Sequence, residues 1–344
     1  MPQKGIILNI KTYLADSFDG MTKGLFASLI IGVIIKQIGD LAGIQIISNL
    51  GQTAQFLMGP SIGAGVALKR KAGVFATLAA MTAGAIGAGT VSIMDLAISP
   101  NIFRIIIGEP AGSFIAALCG IEVGKFLEGK TKFDLLLVPA AVIICGGVVG
   151  IYISPVMSAF MNQIGSMINE FTLLQPIPMG ILLGMTVGAV LTLPISSAAL
   201  CIAIGIDGLA AGAALAGCCA HMVGFAVASF RENKFPGLFA QGIGTSMIQM
   251  PNLIKNPWLW LPPVVASAVC GFLAAAVFRM ETTSVGAGMG TSGLVGQVTT
   301  FSVMGTASLL PMLVLHFLIP AAISLLVSEL MRKKGLIKFG DLAL

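Results

Sequence analysis

Charge is scarce in this chain of 344 residues. Asp, Glu, Lys and Arg make up 10% of it, against about 25% in an ordinary soluble domain. Aromatic residues are also few, at 7%, with two Trp and two Tyr. So little charge excludes a soluble enzyme of this length, and the low polarity excludes a disordered chain. The six cysteines, Cys119, Cys145, Cys201, Cys218, Cys219 and Cys270, all sit inside apolar stretches. Their spacing matches neither a secreted disulfide scaffold nor a metal site, so they read as small packing residues, with a covalent role for one of them as the alternative. No P-loop, Gly-x-Ser-x-Gly, His-Glu-x-x-His or paired-Cys zinc pattern is present. Nor is any polar stretch long enough for a nucleotide-hydrolysing domain. No cofactor and no metal are expected.

What is present is hydrophobicity, at 56%, and glycine, at 43 residues. That combination reads as an all-α polytopic membrane protein whose helices pack closely or break in places. The net charge of +5 does not point to nucleic acid. The basic residues fall in short clusters between apolar runs: Lys69-Arg70-Lys71, Lys125 to Lys132, Arg231 with Lys234, and Arg332-Lys333-Lys334 with Lys338. This is the pattern of loops held at the cytoplasmic lipid surface; a polybasic recognition patch is the alternative. Lys4, Lys11, Asp16, Asp19 and Lys23 precede the first long apolar run, unlike a cleaved signal peptide. The expectation is one membrane domain over 1–344, with 1–23 a cytoplasmic N-terminal segment, 332–344 a cytoplasmic tail, and both termini inside.

About 20 apolar residues cross a hydrocarbon core of roughly 30 Å. Uncharged runs at Gly24–Ile35, Leu41–Leu68, Ala72–Met94, Leu135–Asn169, Phe171–Ile206, Phe235–Ile254 and Asn256–Phe278 mark the bilayer, as do Ile105–Phe126 and Gly208–Phe230. Thr282–Ser328 carries no acid, Lys or Arg across 47 residues. As one helix it would be about 70 Å long, so it must break. The glycines of Val285–Gln297 mark the place, since each costs a helix about 1 kcal/mol relative to alanine. Non-helical backbone at membrane depth must be buried in protein or line a water-filled cavity, which favours a re-entrant hairpin. Phe171–Ile206 must also break, at Pro176, Pro178 or Pro194. The expected total is about ten transmembrane helices with two re-entrant hairpins. Gly180-xxx-Gly184-xxx-Gly188, Gly120-xxx-Gly124, Gly146-xxx-Gly150 and Gly208-xxx-Gly212 read as close helix contacts.

Short segments repeat. Gly242-Ile243-Gly244-Thr245-Ser246 matches Gly288-Met289-Gly290-Thr291-Ser292 at four of five positions, and Leu57-Met58-Gly59-Pro60-Ser61 is a looser relative. Either these are chance matches of low-complexity residues or they mark a binding site. Paired glycine-interrupted segments in a transporter point to its solute site. Free backbone N–H groups, hydroxyls and a helix start suit a sugar hydroxyl, a carboxylate or a phosphate.

Polar residues inside apolar runs are the other signal, because a charge there costs roughly 2.5–3.5 kcal/mol. Glu109, before Pro110, is either a helix cap or a carboxylate facing the solute, and Asp207 has the same two readings. Glu122, Asp40 and Asp95 read as charges at span ends. His221 either bonds a neighbouring helix or meets solute or a proton; His316 has weaker company. Gln241, Gln249, Asn252 and Gln297 flank the glycine motifs and supply donors and acceptors. The candidate solute-binding set is Glu109, Asp207, His221, Thr245, Ser246, Gln249, Asn252, Gly290, Thr291, Ser292 and Gln297.

The stretches Gly205–Gly212, Gly217–Phe225, Gln241–Asn252 and Gly288–Gln297 resemble the bacterial phosphotransferase-system IIC membrane components, in a branch that includes perfringolysin-regulator-like proteins. The resemblance covers most of the chain and is strongest in 195–300. It implies a dimeric permease of about ten helices in the bacterial cell membrane, with two re-entrant hairpins and elevator-like movement. Better-known relatives bind sugar through the Glu of a Gly-Ile-Thr-Glu-Pro-type motif and a nearby His. Gly108-Glu109-Pro110 is the nearest match here, earlier in the chain and without the Ile-Thr lead. The chain has no IIA or IIB domain, so the phosphoryl donor would be a separate IIB protein. The expected partners are a sugar-like solute, IIB and IIA phosphocarriers, membrane lipids and a second copy, with no nucleic acid. Phosphotransferase activity would arise only together with those carriers. The alternatives are an ion-coupled secondary transporter and a membrane sensor of the same fold.

Overall fold

The computed structural model describes residues 2–93 and 103–344, and Asp95 lies outside them. The chain divides into two compact units, one ending at Phe160 and the other beginning at Met161.

In the first unit, α1 (Pro2–Leu25) runs through a π-helical turn at Phe26–Ile30 into α2 (Ile31–Ala42). Ile10–Ala42 is thus long and apolar enough to cross a membrane. Residues 10–23, expected to lie outside the membrane, belong to this packed helix. Gly20 and Gly24 place α1 directly on the backbone of α4 (Met58–Lys69) at Gly65 and Ser61, and Ala15, Ser17 and Met21 are buried. Asp19 is accommodated by Lys23 at 2.9 Å and Lys69 at 2.7 Å. Next come α3 (Gln45–Phe56), α5 (Val74–Ala88) and α6 (Pro110–Leu127). A short antiparallel pair, β1 (Val91–Ile93) and β2 (Phe103–Ile105), interrupts the helices with Ser92 opposite Arg104. Glu122 pairs with Arg70 at 3.1 Å and Asp40 with Lys36 at 2.6 Å.

The unit boundary falls inside α7 (Asp134–Thr172). The second unit continues with α8 (Pro176–Thr192), α9 (Ser197–Ile204), α10 (Gly208–Ala228) and α11 (Phe230–Phe239). Then follow α12 (Met250–Lys255), α13 (Leu261–Phe272), α14 (Ser284–Ala287), α15 (Val295–Met304), α16 (Leu309–Met312) and α17 (Ile319–Lys333). The long run from Phe171 breaks before Pro176, which takes the first turn of α8, a position where its missing N–H costs nothing. It breaks again around Leu193–Ser196. The run from Thr282 breaks after α14: Gly290, Gly293 and Leu294 all have positive φ.

The second unit is assembled around α10. From Ala211 to Met222 this helix is buried on every side, as an all-round apolar helix must be. Small residues allow it. A Cβ on Gly217 would come within 2.1 Å of the Gly184 carbonyl, and one on Gly188 within 2.7 Å of the Gly217 carbonyl. Gly180 meets the Gly271 carbonyl of α13 in the same way. Ala216 and Ala220 pack with Ala266, Cys270 and Ala274 of α13 and its extension. Among the described residues six helices are long and apolar enough to cross a membrane, and Val74–Ala88 and Pro176–Thr192 are apolar but shorter. The chain is therefore a helical, multi-pass membrane protein.

Within the expected tail of 332–344, residues 335–344 fold back onto the second unit. Ile337 and Leu342 are buried against Phe225, Leu253, Leu259 and Met331.

The Gly184–Gly217 contact yields a stability prediction. Gly217→Ala drives a methyl into backbone that cannot move away and costs about 1–3 kcal/mol, a loss of several degrees in melting temperature. Gly242→Ala, whose Cβ meets only the Ala226 methyl at 3.6 Å, leaves the melting temperature of the purified protein within a degree or two.

Candidate functional site

The two repeated Gly-Thr-Ser segments are both breaks in helix, and they meet. The first ends a π-helical turn at Ala240–Gly244, passes through extended Thr245 and enters a 3-10 turn at Ser246–Gln249. The second leads into the 3-10 turn Ser292–Leu294. The Thr291 hydroxyl donates to the Gly242 carbonyl and lies 3.5 Å from Met222 Sδ. Gly290, at φ +58, presses on Cys218 and Met222; a Cβ there would sit 2.8 Å from the sulfur. Gly296 packs on Leu215, and Gln297 reaches Cys219 Sγ at 3.4 Å. Residues 215, 218, 219 and 222 form one stripe of α10, so the second break lies along a single face of that helix. The looser relative, Leu57–Ser61, behaves differently: after Leu57 it is the start of α4 and stays helical, with Pro60 in the tolerated first turn.

His221 faces α8. Its Nδ1 is 2.9 Å from Thr192 Oγ1, which is 2.8 Å from Ser246 Oγ. Phe225 and Trp260 stand edge-on to the ring with centroids 6.2 and 6.0 Å away. The direction of the hydroxyl chain sets the tautomer. If Thr192 donates to Nδ1, then Nε2 carries the proton; if Nδ1 donates, Nε2 is an acceptor. In either case Nε2 is fully buried without a protein partner, and so is Ser292 Oγ. Buried polar atoms are nearly always paired, so each such exception calls for an explanation.

A further polar pair lies at Gln297 and His316. Gln297 Nε2 is 3.1 Å from His316 Nδ1, while Gln297 Oε1 and His316 Nε2 have no protein partner. His316 sits in a π-helical stretch, Leu313–Leu318.

The remaining candidates lie elsewhere. Asp207 is the N-cap residue of α10, exposed, and its Oδ1 accepts from the Ser284 N–H at 2.7 Å. Beside it is a cleft of about 410 Å³ lined by Asn169, Thr172, Met179, Ile206 and Leu209. Fourteen residues of α10 separate Asp207 from His221, roughly 21 Å at 1.5 Å per residue. In this conformation the two cannot hold one small solute, although the sequence reading grouped them. Gln249 and Asn252 donate to the carbonyls of Leu342 and Ala343 at 3.0 and 2.8 Å, so their amides serve the folded-back tail. Thr245 Oγ1 accepts from the Met247 N–H at 3.2 Å and caps its own turn. Glu109 belongs to the first unit, where it is the N-cap residue of α6. Sequence reasoning missed Thr192, which links His221 to Ser246; its signal was a hydroxyl closing an apolar run just before Leu193-Pro194. Among the described residues no three His, Cys, Asp or Glu side chains converge as a metal ion requires.

Buried histidines and hydroxyls thus sit beside broken helix inside a multi-pass helical membrane protein. The chain matches the family model described as the phosphotransferase system, EIIC, over residues 15–344. It belongs to that family and is a permease component of such a system. Membership implies, in general terms, a solute and a IIB partner. No curated protein and no solved structure matches the chain.

The Thr192 hydroxyl bonds both His221 and Ser246. Thr192→Val keeps the shape but strands both partners in a buried site, at a cost of about 1–3 kcal/mol. Thermal melting should show Thr192→Ser recovering most of that loss.

Proposed function

We propose that this permease binds a sugar-like, polyhydroxylated solute against the paired turns on α10 and passes it to a separate IIB phosphoryl donor. The observation that carries the reading is the meeting of the two Gly-Thr-Ser turns, with His221 Nε2 and Ser292 Oγ left as buried groups without protein partners. A hydroxyl both donates and accepts, so a polyol matches a mixed set of imidazole, hydroxyl and amide groups. Thr291, Gly290, Ser246 and Gln297 form the rest of that wall, and Thr245 shapes it by capping its own turn. Gln249, Asn252 and Asp207 support it through the tail and the Ser284 backbone.

In this reading the breaks at 240–249 and 288–294 are the tips of two re-entrant hairpins within about ten crossings. The transport unit moves elevator-fashion against a homodimeric scaffold in a bacterial plasma membrane. The termini are cytoplasmic, because Arg231, Lys234 and Arg332–Lys334 then fall on the inner face. The chemistry is positioning: the chain holds an acceptor hydroxyl where IIB delivers the phosphoryl group.

The test is a thermal-shift titration of purified protein with hexoses, hexitols and sugar acids, followed by His221→Asn and Ser292→Ala. A binder raises the melting temperature of the parent by mass action. Each variant keeps its unliganded melting temperature within a few degrees and weakens binding about tenfold. Unchanged affinity in both variants would remove these residues from the site.

A further inference from the structure

Residues 335–344 are held by more side-chain bonds than a loose tail needs. Asn233 Nδ2 donates to the Leu342 carbonyl at 2.8 Å, and the Leu344 N–H returns to Asn233 Oδ1 at 3.0 Å. Gln249 Nε2 reaches the same Leu342 carbonyl at 3.0 Å, and Asn252 Nδ2 reaches Ala343 at 2.8 Å. Asn256 Nδ2 spans the Leu336 carbonyl at 3.0 Å and Asp341 Oδ2 at 2.9 Å. The buried ion pair of Arg332 with Glu232, at 2.9 Å, anchors the near end, and Leu342 is a buried apolar plug.

These bonds do not stop at the tail. Gln249 Nε2 also donates to Gln241 Oε1 at 2.9 Å, and Gln241 Nε2 in turn holds Ser229 Oγ at 2.7 Å and the Gly237 carbonyl at 3.0 Å. Gln249 Oε1 accepts from Asn252 at 2.8 Å. Gln241 and Gln249 are both fully buried, so each bond lost strands its partner away from water. Gln241 is one residue from Gly242, the acceptor of the Thr291 hydroxyl. Lys234, directly after the Asn233 clamp, is held at φ +52 and ψ −151, a conformation a non-glycine residue keeps only when its surroundings enforce it.

We infer that residues 336–344 are an internal strap that fixes the conformation of the 241–246 turn, with Gln249 as the positioning residue between them. The strap joins the exposed end of the chain to the buried turn by a path of amides, from the Leu342 carbonyl through Gln249 to Gln241. A change at residues 340–344 is thereby transmitted to the turn without any contact between the tail and a solute. The inference concerns the conformation of the turn and holds whichever solute the turn meets.

The test is amide hydrogen exchange, followed by mass spectrometry, on the full chain in lipid nanodiscs with no solute added. Asn233→Ala with Asn252→Ala removes tail bonds and leaves Gln241 untouched. Gln249→Met removes the bridge while keeping side-chain length. The strap predicts exchange about tenfold faster at 241–246 in both variants, with 340–344 opening in the double variant as well. Asn233→Ala alone, which removes only bonds to Leu342 and Leu344, is the milder variant should the double one fail to fold, and it shows the same pattern at smaller amplitude. Exchange that rises at 340–344 and stays at the parent rate over 241–246 would overturn the strap.

Discussion

Backbone packed against backbone around α10 is the constraint from which the second unit follows. Gly217 on Gly184, and Gly180 on Gly271, leave no room for side chains between α8, α10 and α13. In lipid the hydrophobic effect does not drive helices together, so such close contact supplies the cohesion. A helix sheathed this way has little to offer a polar solute along most of its length. Polar groups are confined to where the neighbouring chain stops being helix and exposes its own N–H and C=O groups.

That division explains the layout of the site. The Gly288–Leu294 break lies on the stripe of Leu215, Cys218, Cys219 and Met222, while Thr192 and Ser246 approach His221 from the α8 side. Hydroxyls fill the junction because each can donate and accept, so a chain such as Ser246–Thr192–His221 can reverse direction without breaking. The same economy appears at Gln241 and Gln249, where a few amides join the tail, the turn and the end of α10. Broken helix needs such partners, since its orphaned backbone groups have no water to turn to.

Much of this was legible in the residues. The scarcity of charge gave the solvent, and uninterrupted runs longer than a bilayer demanded a break at Pro176, Pro178 or Pro194 and another within Val285–Gln297; the helix stops before Pro176, again around Leu193–Ser196, and after α14. The likeness of 242–246 to 288–292 read either as chance or as the mark of a binding site; that Thr291 bonds Gly242 is visible only in the fold. Side-chain direction was not legible. Asp207 and His221 look alike as polar residues on one helix, yet the length of α10 separates them. Gln249 and Asn252 have the composition of a binding site and serve the tail, because an amide's partner lies in tertiary structure and not in spacing. Lys11, Asp16 and Asp19 hid a packed helix, since ion pairs at 2.7 and 2.9 Å compensate Asp19 in a way composition cannot show.

The account rests on the two turns touching at α10. The most direct measurement is oxidative cross-linking of Gly242→Cys with Thr291→Cys in native membranes, read as an intramolecular disulfide by mass. Neighbouring turns place the two thiols within disulfide reach, so the pair should close rapidly with a membrane-permeant oxidant. Introduced thiols that stay unpaired in a folded double variant, after prolonged oxidation and with the six native cysteines replaced by alanine or serine in both arms, would contradict the arrangement from which the solute wall is built.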